Sequence, residues 1–295
     1  MRGRRLLKTG REDADRGFVL ILVLLILAAL MALAVDFAYG VYVNISGIHN
    51  MQVMEKLSIE GSSLIDSSAG PFLQSLQQGD IPLDGQDLQI PLGDDTTVLF
   101  QAGDENAKFN VNTLIDQNGD LNRDAYDSFK RLLKGLNLDE TIADKVAGWI
   151  NPEALPAAGG EGGNVKNGYL TSTTELGLLI DKTSYDTLKN YVTVFGDGLI
   201  DINSAAAPVL MSLSDDVSED LAARIIERRK LEPFKNIGEL SQVAGFEKLG
   251  MELAPRITAT SSAIGIRASA SKGGITRIVE GVLDSSGKVL YWREY

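Results

Sequence analysis

The chain has 295 residues, 44% of them hydrophobic, and a formal net charge of -12. It lacks cysteine and has one histidine, His49, which excludes a disulfide framework and thiolate metal sites and leaves little for histidine-based acid–base or zinc chemistry. The acidic balance argues against a nucleic-acid or anionic-membrane surface and is compatible with cations held through oxygen.

Residues 1–17 carry six Lys/Arg and three Asp/Glu, and Phe18 to Val35 follows without a single charge. Eighteen residues at a rise of ~1.5 Å span roughly 27 Å, close to the hydrocarbon thickness of a bilayer. The basic flank places residues 1–17 in the cytoplasm and everything after Asp36 outside it. Three readings compete. Ala32-Leu33-Ala34 would serve a secretory signal peptide, although the apolar core is longer than the usual ~7–15 residues. A plain single-span anchor fits the span alone. Arg16-Gly17-Phe18 at the membrane boundary has the form of a prepilin leader, cut between Gly17 and Phe18.

The following stretch favours the third reading. Phe37, Val41, Ile45, Ile48, Met51, Met54, Leu57, Leu64 and Ile65 keep a helical apolar spacing, and no proline occurs before Pro71. The pattern predicts a spine helix over 18–66, with 18–35 in the membrane and the rest outside. Gly40, Gly47 and Gly61 weaken it by up to ~1 kcal/mol each.

Strands are expected at Leu88–Pro91 and Thr97–Ala102, and again at Ala263–Ser271, Thr276–Leu283 and Lys288–Glu294. Asp284-Ser285-Ser286-Gly287 joins the last two as a hairpin turn. Residues 67–104 and 257–295 thus read as two parts of one small α/β domain, and 105–256 as an inserted, mainly helical domain. The fold class expected is α+β.

The insert holds a diverged repeat. Phe109-Asn110-Val111-Asn112-Thr113 opens one copy and Ile202-Asn203-Ser204 the other, and each leads to two helices. Ile142, Ala143, Val146, Ala147 and Ile150 match Leu221, Ala222, Ile225, Ile226 and Arg229. The first copy carries 14 extra residues, from offsets of 91 at the asparagines and 77 at the first helices. Thr174–Val192 reads as a shorter relative between the copies. The pattern is that of helix-hairpin-helix repeats, a fold that often binds DNA. Here the turns Asn137–Thr141 and Ser214–Glu219 are acidic and lack the glycines that bring amides to a phosphate. Arg224, Arg228, Arg229 and Lys230 read as a solvated helix face.

The extra residues include an acidic run. Asp116, Asn118, Asp120, Asp124 and Asp127 stand at positions 1, 3, 5, 9 and 12 of a twelve-residue loop, with the Asn122 carbonyl at position 7. That is EF-hand-type calcium spacing, although position 6 is Leu121 where glycine is usual and position 12 is aspartate. The alternative is a polar loop whose Asp and Asn form turns and cap a helix starting near Arg123. No catalytic constellation and no phosphate-binding glycine loop is evident, so no small-molecule substrate is expected.

Taken in order, the Gly17-Phe18 junction, Lys108–Thr113 (KFNVNT), Val146–Asn151 (VAGWIN), Asp201–Leu210 (DINSAAAPVL) and the terminal Tyr291–Glu294 resemble the K-type minor pseudopilins of type II secretion systems. The resemblance covers most of the chain. It implies a pilin-like spine and antiparallel sheet with an inserted α-helical domain, and no enzyme activity. Cleavage after Gly17 and methylation of the new Phe18 amine by a prepilin peptidase are implied too. Most type IV pilin-like chains carry glutamate at the fifth mature position; here that position is Leu22, which points to a tip subunit with no neighbour above it. The implied partners are the I- and J-type minor pseudopilins and the inner-membrane assembly platform. The implied place is the bacterial inner membrane, single-pass, with the bulk in the periplasm. Calcium accompanies some relatives, but this chain departs from their aspartate-rich run after Trp149, having Asn151-Pro152-Glu153 and the loose loop Ala157–Gly163. Type IV pilus tip proteins share the architecture. The competing function is a membrane-anchored helix-hairpin-helix DNA receptor of a competence or pilus system.

Overall fold

In a computed structural model of the protein, the described residues are 23–33, 35–37, 39–41, 43–44, 51–56, 59, 85–93, 96–155, 165–272 and 274–295. The chain divides into two units, Met1–Leu57 and Ser58–Tyr295. In the first, helix α1 (Val23–Val41) has a mean hydropathy of 2.2. At ~1.5 Å per residue it is about 28 Å long, enough to cross a membrane. Leu24, Leu27, Met31 and Leu33 are all exposed, so α1 is apolar on every side before Asp36 and suits lipid or partner helices. Helical backbone recurs at 43–44, 51–56 and 59. The leader 1–17 and the expected helix limits at 18 and 66 lie outside the described residues.

The second unit starts with strands β1 (Leu88–Gly93) and β2 (Thr96–Asp104). The insert follows: β3 (Phe109–Asn110), α2 (Arg123–Gly135), α3 (Thr141–Ile150), α4 (Lys182–Leu188), β4 (Val192–Thr193), β5 (Ile200–Asp201), α5 (Ala207–Met211), α6 (Glu219–Leu231), α7 (Leu249–Leu253) and β6 (Ile257–Thr258). Strands β7 (Ala263–Lys272), β8 (Ile275–Asp284) and β9 (Val289–Glu294) complete it. The five long strands make one antiparallel sheet in the order β1-β2-β7-β8-β9, so β2 pairs with β7 across the whole insert.

Period-two alternation builds that sheet. Val98, Phe100 and Ala102 are buried on one face and lie opposite Ala270, Ala268 and Ile266, while Leu99 between them is exposed. At the β8–β9 turn, the Asp284 carboxylate accepts the Ser286 and Lys288 amides at 2.8 and 3.0 Å. Gly287 supplies the positive φ of 88° that the turn requires.

Capping residues set the helices of the insert. Asn122 accepts the Ala125 amide to start α2, and Ser218 accepts that of Leu221 to start α6. Asn137, at φ 56°, turns the chain out of α2. One apolar core runs through the insert, with Phe129, Leu132 and Leu133 of α2 fully buried and Phe129 stacked on Phe109 at 5.2 Å. Burying side chains of this size is worth ~1.5–3 kcal/mol each.

The insert repeats itself in structure. Parallel two-residue pairs β3–β4 and β5–β6 each close one copy. The Asn112 side chain donates to the carbonyls of Leu170 and Val194 and accepts the Leu170 amide. Asn203 does the same with Phe234 and Ala259. Buried Leu176, Leu188 and Val192 in one copy take the places of Leu240, Leu253 and Ile257 in the other. Thr174–Val192 is therefore the closing half of the first copy, where a separate shorter relative was expected. The parallel pair explains it, because the chain must return to lay β4 beside β3.

Candidate functional site

The residues expected to be processed or to mark position, Gly17, Phe18 and Leu22, lie outside the described residues, as does His49. What is described beside them is the first part of α1, residues 23–33, which holds no polar side chain.

The acidic loop forms turns and a helix start. The Asp116 carboxylate accepts the amides of Asn118 at 2.8 Å and Asp120 at 2.9 Å, and its own amide donates to the Asp120 carbonyl. Gly119, at φ 89°, passes the tip; its carbonyl accepts the Asn151 side chain, and Tyr169 donates its hydroxyl to the Asp116 carbonyl at 3.0 Å. Asn122 ends the loop as the cap of α2. Its carbonyl, the expected position-7 ligand, accepts the Tyr126 amide at 2.9 Å. Asp124 and Asp127 already lie within α2, exposed, as Asn118 and Asp120 are in the loop. Among the described residues no group of three or more acidic, histidine or cysteine side chains is gathered as a metal site.

A second cluster, missed from sequence, sits where the chain leaves the sheet for the insert. Asn106 is 2% exposed and ties together three passages of the chain. Its amide group donates to the Asp197 carboxylate at 2.7 Å and the Leu199 carbonyl at 2.8 Å, between the two copies. Its side-chain oxygen accepts the amide and hydroxyl of Ser262, both at 2.9 Å, where the chain returns to β7. Beside it, buried Glu105 accepts Lys108 at 2.7 Å and the Thr193 hydroxyl. Buried Asp104 accepts the Asn106 amide and the Ser204 hydroxyl. Asp201 is also buried and lies within hydrogen-bond reach of Asp104; burial and then the Asp104 charge push its carboxyl up to about 7. The one sequence signal for this cluster was the 91-residue offset, which sets Asp201 opposite Asn110.

The cationic run on α6 divides. Arg224 pairs with Asp220 at 2.6 Å, Lys230 with Glu227 at 2.9 Å and Arg228 with Glu232 at 3.6 Å, all on the solvent side. Arg229 does not belong to that face. It turns inward, half-buried, and donates to the carbonyls of Ile202 and Ala205 at 2.9 and 2.8 Å. Position 229 faces the turn that follows β5, so its guanidinium satisfies carbonyls that no helix or strand uses. In the acidic turns, Leu138 and buried Val217 point into the core and fix each helix pair.

Known proteins resemble this arrangement. The sequence model of the family described as Type II secretion system (T2SS), protein K matches residues 107–197 and 200–261, together more than half of the 295 residues. The two matches meet at the junction between the structural copies. No curated protein matches. A chain in the crystal structure of the GspK-GspI-GspJ complex from the enterotoxigenic Escherichia coli Type 2 Secretion System shares the fold. Its TM-score is 0.68 at 15% identity, covering 84% of this chain and 99% of that one.

Proposed function

This chain belongs to the type II secretion system protein K family, and from that premise we propose that it is the minor pseudopilin at the tip of the pseudopilus, starting or capping its assembly. The observation that carries this reading is the pairing of an uncovered apolar helix, α1, with the family's insert on a pilin-like sheet. α1 anchors the chain in the inner membrane, and the bulk after it stands in the periplasm, as the basic flank of residues 1–17 favours. Exposed Val41, Val43, Met51, Met54 and Ile59 continue the apolar surface beyond the span and need partner helices. The partners proposed are the I- and J-type minor pseudopilins, which matches the company of the similar chain in the GspK-GspI-GspJ complex. Leu22 supports the tip position, since a carboxylate there would have no amine above it to pair with.

The repeats are read as helix-hairpin-helix units used as scaffold. The cations of α6 exposed to solvent are already matched by carboxylates on the helix or at its end, which leaves little for the competing DNA-receptor reading.

Mass spectrometry of the N-terminus tests the processing: a mature chain starting at Phe18 with a methylated amine is expected in cells with a prepilin peptidase. A chain starting at Val35, or an intact Met1, overturns it. Co-purification with the other minor pseudopilins tests the position. Recovery of this subunit along the body of the filament defeats the tip assignment.

Calcium at Asp116–Asp127 is a separate part of the proposal. Its support is chemical: four carboxylates within twelve residues repel one another, and a hard divalent cation relieves that. The described loop is not yet arranged for an ion, so binding would draw Asp120 and Asp124 toward the free oxygen of Asp116.

A further inference from the structure

Two carboxyl groups meet inside this protein with little around them to hold two negative charges. Asp104 ends β2 and is 2% exposed; Asp201 ends β5 and is 5% exposed. Ser204 brings them together, its hydroxyl donating to the Asp104 carboxylate and its amide to the Asp201 carbonyl at 3.3 Å. A hydrogen bond between two carboxyl groups needs a proton, because two carboxylates are both acceptors. We propose that Asp104 and Asp201 hold one proton between them and form a proton-operated latch, which fastens the sheet to the second copy of the insert when shared and loosens when the proton is lost to water.

The surroundings bear this out one group at a time. On Asp104 the oxygens accept the Asn106 amide at 2.8 Å and the Ser204 hydroxyl. On Asp201 one oxygen accepts the Asn203 amide at 2.8 Å. From α6, the Arg229 guanidinium is the nearby cation, but its Nη1 is committed to the Ile202 and Ala205 carbonyls. Glu105 and Lys108 pair with each other, Glu105 facing Thr193, and Asp197 is held by Asn106. Arg256, just before β6, is turned to Ser128 and the Leu213 carbonyl. Among the described residues no full ion pair therefore discharges the dyad, and burial disfavours two charges side by side.

The other copy supplies a built-in comparison. Asn110 holds the position of Asp201: its oxygen accepts the Asn112 amide just as Asp201 accepts that of Asn203. Its amide group donates to the Phe195 and Gly196 carbonyls. Where the first copy has a permanent N–H donor, the second has a carboxyl that can donate only while protonated. One copy is fixed and the other titrates.

The sign follows from linkage. Asp201 sits at about 7 in the fold against an ordinary 3.8. The latch is therefore complete below the unfolded value and is lost as pH rises through about 7. The folding constant should fall roughly a hundredfold between pH 5 and pH 8 from this group alone.

The test uses the full chain in detergent micelles, melted from pH 5 to pH 8. The wild type should lose melting temperature across that range, and Asp201→Asn, which restores the donor seen at Asn110, should flatten the loss. A wild type that melts equally at both ends overturns the latch, and so does an Asp201→Asn variant with the full dependence. Infrared spectroscopy of chain labelled with carbon-13 aspartate needs no variant. A protonated-carboxyl stretch present at pH 6 and absent at pH 8.5 is expected, and its absence at pH 6 refutes the shared proton.

Discussion

Replacing Asn106 with alanine removes the tie between the sheet, the junction of the two copies and the return to β7. Four side-chain hydrogen bonds go with it, two donated to Asp197 and Leu199 and two accepted from Ser262, at 2.7 to 2.9 Å. At a net ~0.5–1.5 kcal/mol per bond the four sum to about 4 kcal/mol, with a ceiling of about 6 kcal/mol. Asp197 is exposed and regains water on release, which brings the expected loss to about 3 kcal/mol. For a domain of this size that is a fall of about 6–12 °C in melting temperature. Asn106→Asp keeps the acceptor for Ser262 but sets a carboxylate against that of Asp197, so it should be as harmful at pH 7 and recover on acidification. The exposed Asn190, whose side chain makes one bond of 3.3 Å to the Asp186 carbonyl, is the control and should change little as alanine. Circular-dichroism melts of the full chain in micelles, with hydrogen exchange on β2 and β7, read the effect. An Asn106→Ala chain melting within a degree or two of wild type would show that the three passages are held by packing alone.

Phe129→Ala should cost ~3–5 kcal/mol in denaturant titrations, because the ring is fully buried against Phe109. Leu231→Ala, at an 87% exposed position, should stay within about 0.5 kcal/mol. Although burial raises the Glu175 carboxyl, the Lys166 ammonium at 2.7 Å and the Thr171 amide and hydroxyl outweigh it and bring it down to about 2. A carboxyl lowered in the fold stabilises above its unfolded 4.5 and loses that contribution as pH falls toward 2, so Glu175→Gln should flatten the acid limb of a stability profile there and leave the limb near pH 7 alone. If the loop takes calcium, the chain should melt higher with the ion than with chelator, by ~2.7 kcal/mol at a hundredfold excess over Kd. The Asp116→Ala, Asp120→Ala double variant should abolish that difference; no calorimetric heat and equal melts would remove the ion.

The strands were legible because each alternates in period two and ends in its own turn chemistry. All five long strands stand within a few residues of the expected limits, and Asp284–Gly287 makes the expected turn. Helices α2 and α3 were legible from Leu132, Leu133, Ile142 and Val146, whose spacing is helical and whose side chains are buried. The short pairs β3–β4 and β5–β6 were not. Two residues carry no period, and what fixes them is a distant partner and one asparagine side chain. The same holds for Arg229: charge and spacing place it with Arg228 and Lys230, and only the position of the Ile202 and Ala205 carbonyls turns it inward. Asp104 and Asp201 were invisible for a related reason. Aspartate at a strand end reads as a turn residue until the fold brings two of them together out of water.

Sheet and insert depend on each other through the order in which contacts can form. β7, β8 and β9 are neighbours in sequence and can pair by local closure. β2 has no such route. Its partner β7 lies beyond both copies, so Thr97 can find Ser271 and Asp104 can find Ile264 only after the insert has brought its two ends together. Asn106 and the Asp104–Asp201 pair stand at those ends, immediately after β2, at the junction of the copies and just before β7. The polar groups cost desolvation that an apolar junction would avoid. What they supply is register, because a hydrogen-bonded amide and a shared proton each accept one alignment, while an apolar contact tolerates sliding. A slip of one residue between β2 and β7 would send Phe100 and Ala102 to the opposite face. Loosening either polar device should therefore first release the β1–β2 hairpin from the sheet, while β7–β9 and the separate copies keep their protection from exchange.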